Sequence, residues 1–183
     1  MKVGATSIKK FSMELGGNAP VLIYRDADLD LAAEIVTTLK FNNAGQICVT
    51  PNRVFVEREV HDAFRDKVVA RARAAKVGFD READILTGPM IDRRAWARVK
   101  GLIDEAVEKG ATLLAGGDRP EGLETGHFLA PTVLDQVTPE MRIYQDEIFG
   151  PVVSLIPFDD REAVLDRAND GEEGGLASYL FPA

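Results

Sequence analysis

The stretch Phe41-Asn-Asn-Ala-Gly-Gln-Ile-Cys48 places the only cysteine of the sequence directly after a run of turn-forming residues. A lone cysteine is most often a small buried hydrophobe, and from the residue alone that reading stays open. Its neighbours argue for a second reading. Gly45 permits a tight turn, Gln46 carries an amide, and Thr50-Pro51 has the form of a helix cap and first helical residue. Backbone N–H groups gathered at such a point favour an anion, whether a thiolate or an oxyanion. Glu14, in Met13-Glu14-Leu15-Gly16-Gly17, is a lone acid in an apolar run. It is either an outward-facing edge residue or a partly desolvated carboxyl whose pKa is raised toward the working range of a general base. The glycines after it allow a ligand or another segment to come close. Asp146-Glu147-Ile-Phe-Gly-Pro151 reads either as a plain loop, or as Glu147 holding a sugar hydroxyl with Phe149 packing a flat ring.

The elements around these residues alternate between strand and helix. Phe11–Leu15 and Val21–Tyr24 read as buried strands, and Val54–Val56 as another. Asp28 caps a helix with Leu31, Ala32, Ile35, Val36 and Leu39 on its apolar stripe, ended by Asn42-Asn-Ala-Gly45. A helix over Val60–Lys76 repeats Val60, Phe64, Val68 and Ala72. Asp92 caps a third, with Trp96, Val99, Ile103 and Ala106 on one side, stopped by Gly110. Strands are expected at Ala111–Ala115, Phe128–Leu134, Val152–Phe158 and Ala177–Phe181, with a short helix at Arg161–Ala168. The pattern predicts an α/β fold, an open and mostly parallel twisted sheet flanked by helices.

Composition removes several function classes. Against 22 basic residues stand 30 acidic ones, a net charge of -8 over 183 residues with no basic run, which argues against nucleic acid as a partner. One Cys and two His, His61 and His127, cannot close a Cys/His zinc site, so no metal is expected. No apolar run reaches membrane-spanning length and no signal-peptide core is evident, so a cytoplasmic protein with no membrane partner is expected. No G-x-G-x-x-G or G-x-x-x-x-G-K pattern occurs.

Taken together and in order, the motifs resemble the aldehyde dehydrogenase superfamily. Met13–Pro20 is similar to its glutamate signature, Phe41–Cys48 to its cysteine signature, and Glu147–Val152 to its cofactor-ribose segment. Phe128–Val133 and Gly175–Phe181 also stand in family order, and the resemblance spans the whole chain. The stretches around Glu14 and Cys48 look most like the succinate-semialdehyde dehydrogenase branch.

The resemblance implies that Cys48 is the nucleophile and Glu14 the general base. It implies NAD or NADP as cofactor, with Glu147 at the nicotinamide ribose, Phe149 at the nicotinamide and Leu15 nearby through its backbone. Ile47 and Val49 would line the passage for a small-molecule aldehyde. It further implies that residues 1–183 form a catalytic domain, incomplete at the C-terminus and without the Rossmann cofactor domain. On that reading the chain alone would not turn over as a dehydrogenase, and homo-oligomers would be expected of the full-length family. Cofactor-independent thiol esterase activity, or a non-catalytic piece associating with a full-length relative, are the alternatives. Thr50-Pro51 is bulkier than the family's usual residues after the nucleophile, and Gly174 stands where an aromatic is usual.

Overall fold

The computed structural model of the chain describes residues 6–10, 15–79, 84–170 and 175–182. Six strands, β1 (Pro20–Ile23), β2 (Arg53–Glu57), β3 (Thr112–Ala115), β4 (Thr132–Asp135), β5 (Val152–Phe158) and β6 (Tyr179–Phe181), form one sheet in the order β3-β4-β5-β2-β1-β6. Every neighbouring pair is parallel except β3 and β4. The helices are α1 (Leu29–Phe41), α2 (Arg58–Ala74), α3 (Arg93–Glu108), α4 (Arg142–Gln145) and α5 (Ala163–Asn169).

The strands are apolar on both faces because helices cover both. Val21, Ile23, Val54, Val56, Val133, Val153 and Leu155 pack with α1 and α2 residues such as Val36, Phe64 and Val68. The intervening Leu22, Phe55, Leu134, Val152 and Ile156 pack with α3, α4 and α5 through Leu102, Ile103, Ile143 and Val164. This is the two-residue period of a strand feeding two separate cores. Asp28 caps α1 through Asp30 and Leu31 N–H, and Asp92 caps α3 through Ala95 N–H at 2.7 Å, as their residue types dictate.

Several expectations shift. The buried stripe of α1 is Ala32, Ala33, Val36, Thr37, Lys40 and Phe41, rotated from the one read off the sequence. Leu31 is exposed and Lys40 is not. The Phe128–Leu134 run enters the sheet only from Thr132, and α4 was not anticipated. The strand expected at Phe11–Leu15 falls on residues 11–14, outside the described residues, and Leu15 itself is in no strand.

Candidate active site

The chain reaches Cys48 through a costly turn. After α1, Asn43, Ala44 and Gly45 take φ values of 50, 53 and 67°, the left-handed region that costs a residue with a Cβ about 1–2 kcal/mol. Asn43 and Gln46 offset part of this through each other. The Asn43 amide donates to the Gln46 carbonyl at 3.1 Å, and the Gln46 amide donates to the Asn43 carbonyl at 3.0 Å. Gly45 packs against the Gly150 carbonyl, where no Cβ would fit. Strain held in place by its surroundings is a mark of functional turns.

Cys48 is free and half-buried in a turn closed by Thr50 N–H donating to the Ile47 carbonyl at 3.1 Å. Thr50-Pro51 starts no helix. The chain runs through Asn52 directly into β2, so the anticipated helix N-terminus beside the thiol does not exist. The sequence misled because the same cap-like pair also suits a turn that leads into a strand.

A second segment forms the opposite wall. Gly17 lies against the Cys48 carbonyl, and its N–H donates to Glu147 Oε1 at 3.1 Å. Asn18 donates to the Tyr144 and Gln145 carbonyls at 3.0 and 3.2 Å. The Glu147 segment is held from behind by Arg98 of α3, which donates to the Glu147 and Ile148 carbonyls at 2.6 and 2.9 Å. Phe149 follows at φ 50°, with 40% of its surface exposed.

These walls enclose a cleft of about 400 Å³ lined by Leu15, Gly16, Gln46, Ile47, Cys48, Glu147 and Phe149. Cys48, Glu147, Phe149 and Leu15, four of the residues singled out in the sequence, are thus neighbours. Glu14 lies outside the described residues. Val49 does not line the cleft; its carbonyl accepts from the Tyr179 hydroxyl at 2.6 Å. Gln46 was read only as an amide beside the thiol. It borders both this cleft and a neighbouring one of about 470 Å³, and accepts from Ile91 N–H at 2.8 Å. The lining segments all lead into strands, so the cleft sits at the amino ends of β1, β2 and β5. Open α/β sheets ordinarily place ligands at the carboxyl ends.

Lys40 was missed altogether. A lysine in the last turn of a helix ordinarily complements the helix dipole from the surface. Here it is fully buried, with Nζ 2.6 Å from Asn52 Oδ1 and 3.4 Å from Thr50 Oγ1. Burial pushes its pKa down to about 7, against the opposing pull of the Glu147 charge. Arg53 does not reach the cleft. Its guanidinium donates to the Asn18, Arg167, Ala168 and Asp170 carbonyls, tying the end of α5 to the segment before β1. His61 pairs with Asp135 at the other end of the sheet. Among the described residues no group of three or more His, Cys, Asp or Glu could hold a metal ion, and no helix is long and apolar enough to cross a membrane.

The fit to a nicotinamide nucleotide can be tested on these residues. The Glu147 carboxylate and the exposed Phe149 ring border the same cleft as the thiol, an acceptor for ribose hydroxyls beside a surface for a flat ring. The residues present therefore suit the nicotinamide end of such a group.

The chain is 45% identical over 177 residues to the 3-sulfolactaldehyde dehydrogenase of Pseudomonas putida, covering 97% of this chain and 36% of that protein. It is 42% identical over 181 residues to succinate-semialdehyde dehydrogenase [NADP(+)] 2 of Schizosaccharomyces pombe, covering 99% of this chain and 36% of that protein. The chain thus spans about a third of the length of either relative. Among solved structures, a Mycobacterium tuberculosis aldehyde dehydrogenase complexed with NAD+ superposes with a TM-score of 0.88 at 38% identity, covering 93% of this chain and 35% of that one. An E. coli NADP dependent enzyme superposes with a TM-score of 0.90 at 41% identity, covering 98% and 37%. The sequence pattern of the aldehyde dehydrogenase family matches residues 1–183, and the chain belongs to that family.

Proposed function

We propose that this chain carries the thiol chemistry of an NAD(P)-dependent aldehyde oxidation. The observation that supports this reading is the convergence of Cys48, Leu15, Glu147 and Phe149 on one cleft. Glu147 and Phe149 would hold the nicotinamide ribose and ring, and the chemistry the cofactor supplies when bound is acceptance of a hydride.

The chain's own residues do the rest. The Cys48 thiolate adds to the aldehyde carbonyl carbon, forming a C–S bond and an oxyanion. Once the carbon has given up its hydride, a thioester on Cys48 remains. Glu14, next in sequence to the cleft-lining Leu15, takes a proton from water. The resulting hydroxide attacks the thioester carbonyl, the C–S bond breaks to return the Cys48 thiolate, and the carboxylic acid so formed gives its proton to solvent and leaves as a carboxylate. The partner is a small-molecule aldehyde, and the chain acts as the catalytic domain of an aldehyde dehydrogenase.

The test combines two measurements. One is NADH or NADPH formation from a panel of aldehydes. The other is mass spectrometry of the protein after an activated acetate ester. Acetyl transfer to Cys48, abolished in Cys48→Ser, is the expected outcome. Acylation that survives in Cys48→Ser would overturn the assignment.

A further inference from the structure

Lys40 stands outside the cleft and outside the chemistry just described, yet its surroundings connect it to both walls. Its side chain is fully buried. None of its hydrogen-bond partners among the described residues is a carboxylate. A buried amine whose partners among the described residues are all neutral is expensive, and an apolar side chain would fill the same space at lower cost. Its two acceptors, Thr50 Oγ1 and Asn52 Oδ1, lie two and four residues beyond Cys48 on the segment that carries the thiol. The opposite end of the Asn52 amide donates to the Gly17 carbonyl at 3.2 Å. Gly17 N–H then donates to Glu147 Oε1, and the Gly17 backbone abuts the Cys48 carbonyl. A continuous chain of hydrogen bonds therefore runs from Lys40 through Asn52 and Gly17 to Glu147.

We infer that Lys40 is a positioning residue for the Cys48 cleft: its buried amine fixes Thr50 and Asn52, and through Asn52 holds Gly17 against Cys48 and toward Glu147. The inference deepens the proposed function, and rests on it for the importance of Cys48.

The clamp has two protonation states. As an ammonium, Lys40 offers three N–H donors; as an amine it offers two and a lone pair, to which the Thr50 hydroxyl can turn its own proton. Burial brings the exchange between them to about pH 7, while the charge of Glu147 favours the ammonium. Cys48 is the other titratable group on the turn. A change in the Lys40 proton should thus be felt at Gly17.

The test is an NMR titration of the full chain, following the Lys40 side-chain carbon next to Nζ, the Asn52 side-chain amide and the Gly17 amide. All three are expected to share a midpoint near 7 in the native protein and in Cys48→Ser. In Lys40→Met, which keeps the volume, the Gly17 and Asn52 transitions should vanish. Alkylation of Cys48 by iodoacetamide should then change by about tenfold, as expected when a reacting group is displaced.

A Gly17 transition that persists in folded Lys40→Met would overturn the inference. So would one that is lost in Cys48→Ser, or a Lys40 midpoint unrelated to that of Gly17. If Lys40→Met does not fold, the shared or discordant midpoints in the native protein decide. Failure of Cys48 to be acylated would remove the proposed function while leaving this titration intact. Loss of the shared midpoint with normal acylation would sink the clamp alone.

Discussion

Gly17 lies so close to Cys48 that a Cβ on Gly17 would sit 2.6 Å from the Cys48 carbonyl oxygen. The neighbour is main chain, which cannot swing aside as a long side chain can. The same glycine bonds Glu147 through its N–H and Asn52 through its carbonyl. One residue without a side chain therefore sets the spacing between the thiol turn and the acidic wall.

Gly17→Ala should drive these walls apart. Overpacking of this kind costs about 1–3 kcal/mol. The expected result is a lower denaturation midpoint together with an altered rate of Cys48 alkylation. An alanine variant with native stability and native thiol reactivity would show that the contact is not tight.

Gly101 gives the opposite result for a local reason. It lies exposed in the middle of α3, and a Cβ there would meet nothing within 4 Å. Gly101→Ala should stabilise the protein by about 0.5–1 kcal/mol, because glycine loses more backbone entropy in a helix. Urea denaturation measures this, and alkylation of Cys48 should be unchanged.

Arg53→Met should destabilise strongly. Its guanidinium is buried and donates to the carbonyls of Asn18, Arg167, Ala168 and Asp170, bonds that methionine cannot make. A loss of about 2–4 kcal/mol is expected. Lysine should not rescue it, since one ammonium cannot reproduce the planar fork. A chemical denaturation series on both variants checks the ranking.

Much of the fold was legible in the sequence, because two-residue alternation and capping aspartates are local signals. Val152–Phe158 forms a strand over its whole expected length, and Asp28 and Asp92 cap as their types suggest. What was not legible depends on distant partners. Lys40 is buried because Asn52 and Thr50 come to meet it, and Arg53 is structural because the end of α5 folds over it. Cys48 and Glu147 were each readable as a motif. The contact between their segments runs through Gly17, and no spacing in the sequence encodes it.

The His61–Asp135 pair should make stability depend on pH at both ends of its range. The hydrogen bond that His61 Nε2–H donates to Asp135, at 2.9 Å, raises the His61 pKa above its ordinary 6.5, although burial alone would lower it. The stabilisation it gives is complete below about 6.5 and is lost as pH rises through the raised folded-state value. For Asp135, burial pulls upward, but the hydrogen bonds from His61 and Gln136 N–H prevail and lower its pKa. Its contribution is lost as pH falls through that lowered value. Asp135→Asn should flatten both limbs of a plot of melting temperature against pH. An unchanged neutral-to-alkaline limb would show that the pair is not coupled to folding.

Phe149 permits a test that separates strain from packing. It holds φ at 50°, a conformation that costs a residue with a Cβ about 1–2 kcal/mol, while its ring stays 40% exposed at the cleft. Replacing the ring with alanine or with glycine removes the same aromatic contacts. Only the glycine also removes the backbone penalty. Phe149→Gly should therefore be more stable than Phe149→Ala by about 1 kcal/mol, reversing the order expected at an ordinary position. Both variants should lose affinity for a nicotinamide nucleotide if the ring contributes to its binding. Urea denaturation and calorimetric titration with NAD read the two effects separately. Equal stability of the two variants would mean that the turn relaxes once the ring is gone. In that case the strain is imposed by the ring's own packing rather than by the Glu147–Gly150 segment that Arg98 holds from behind.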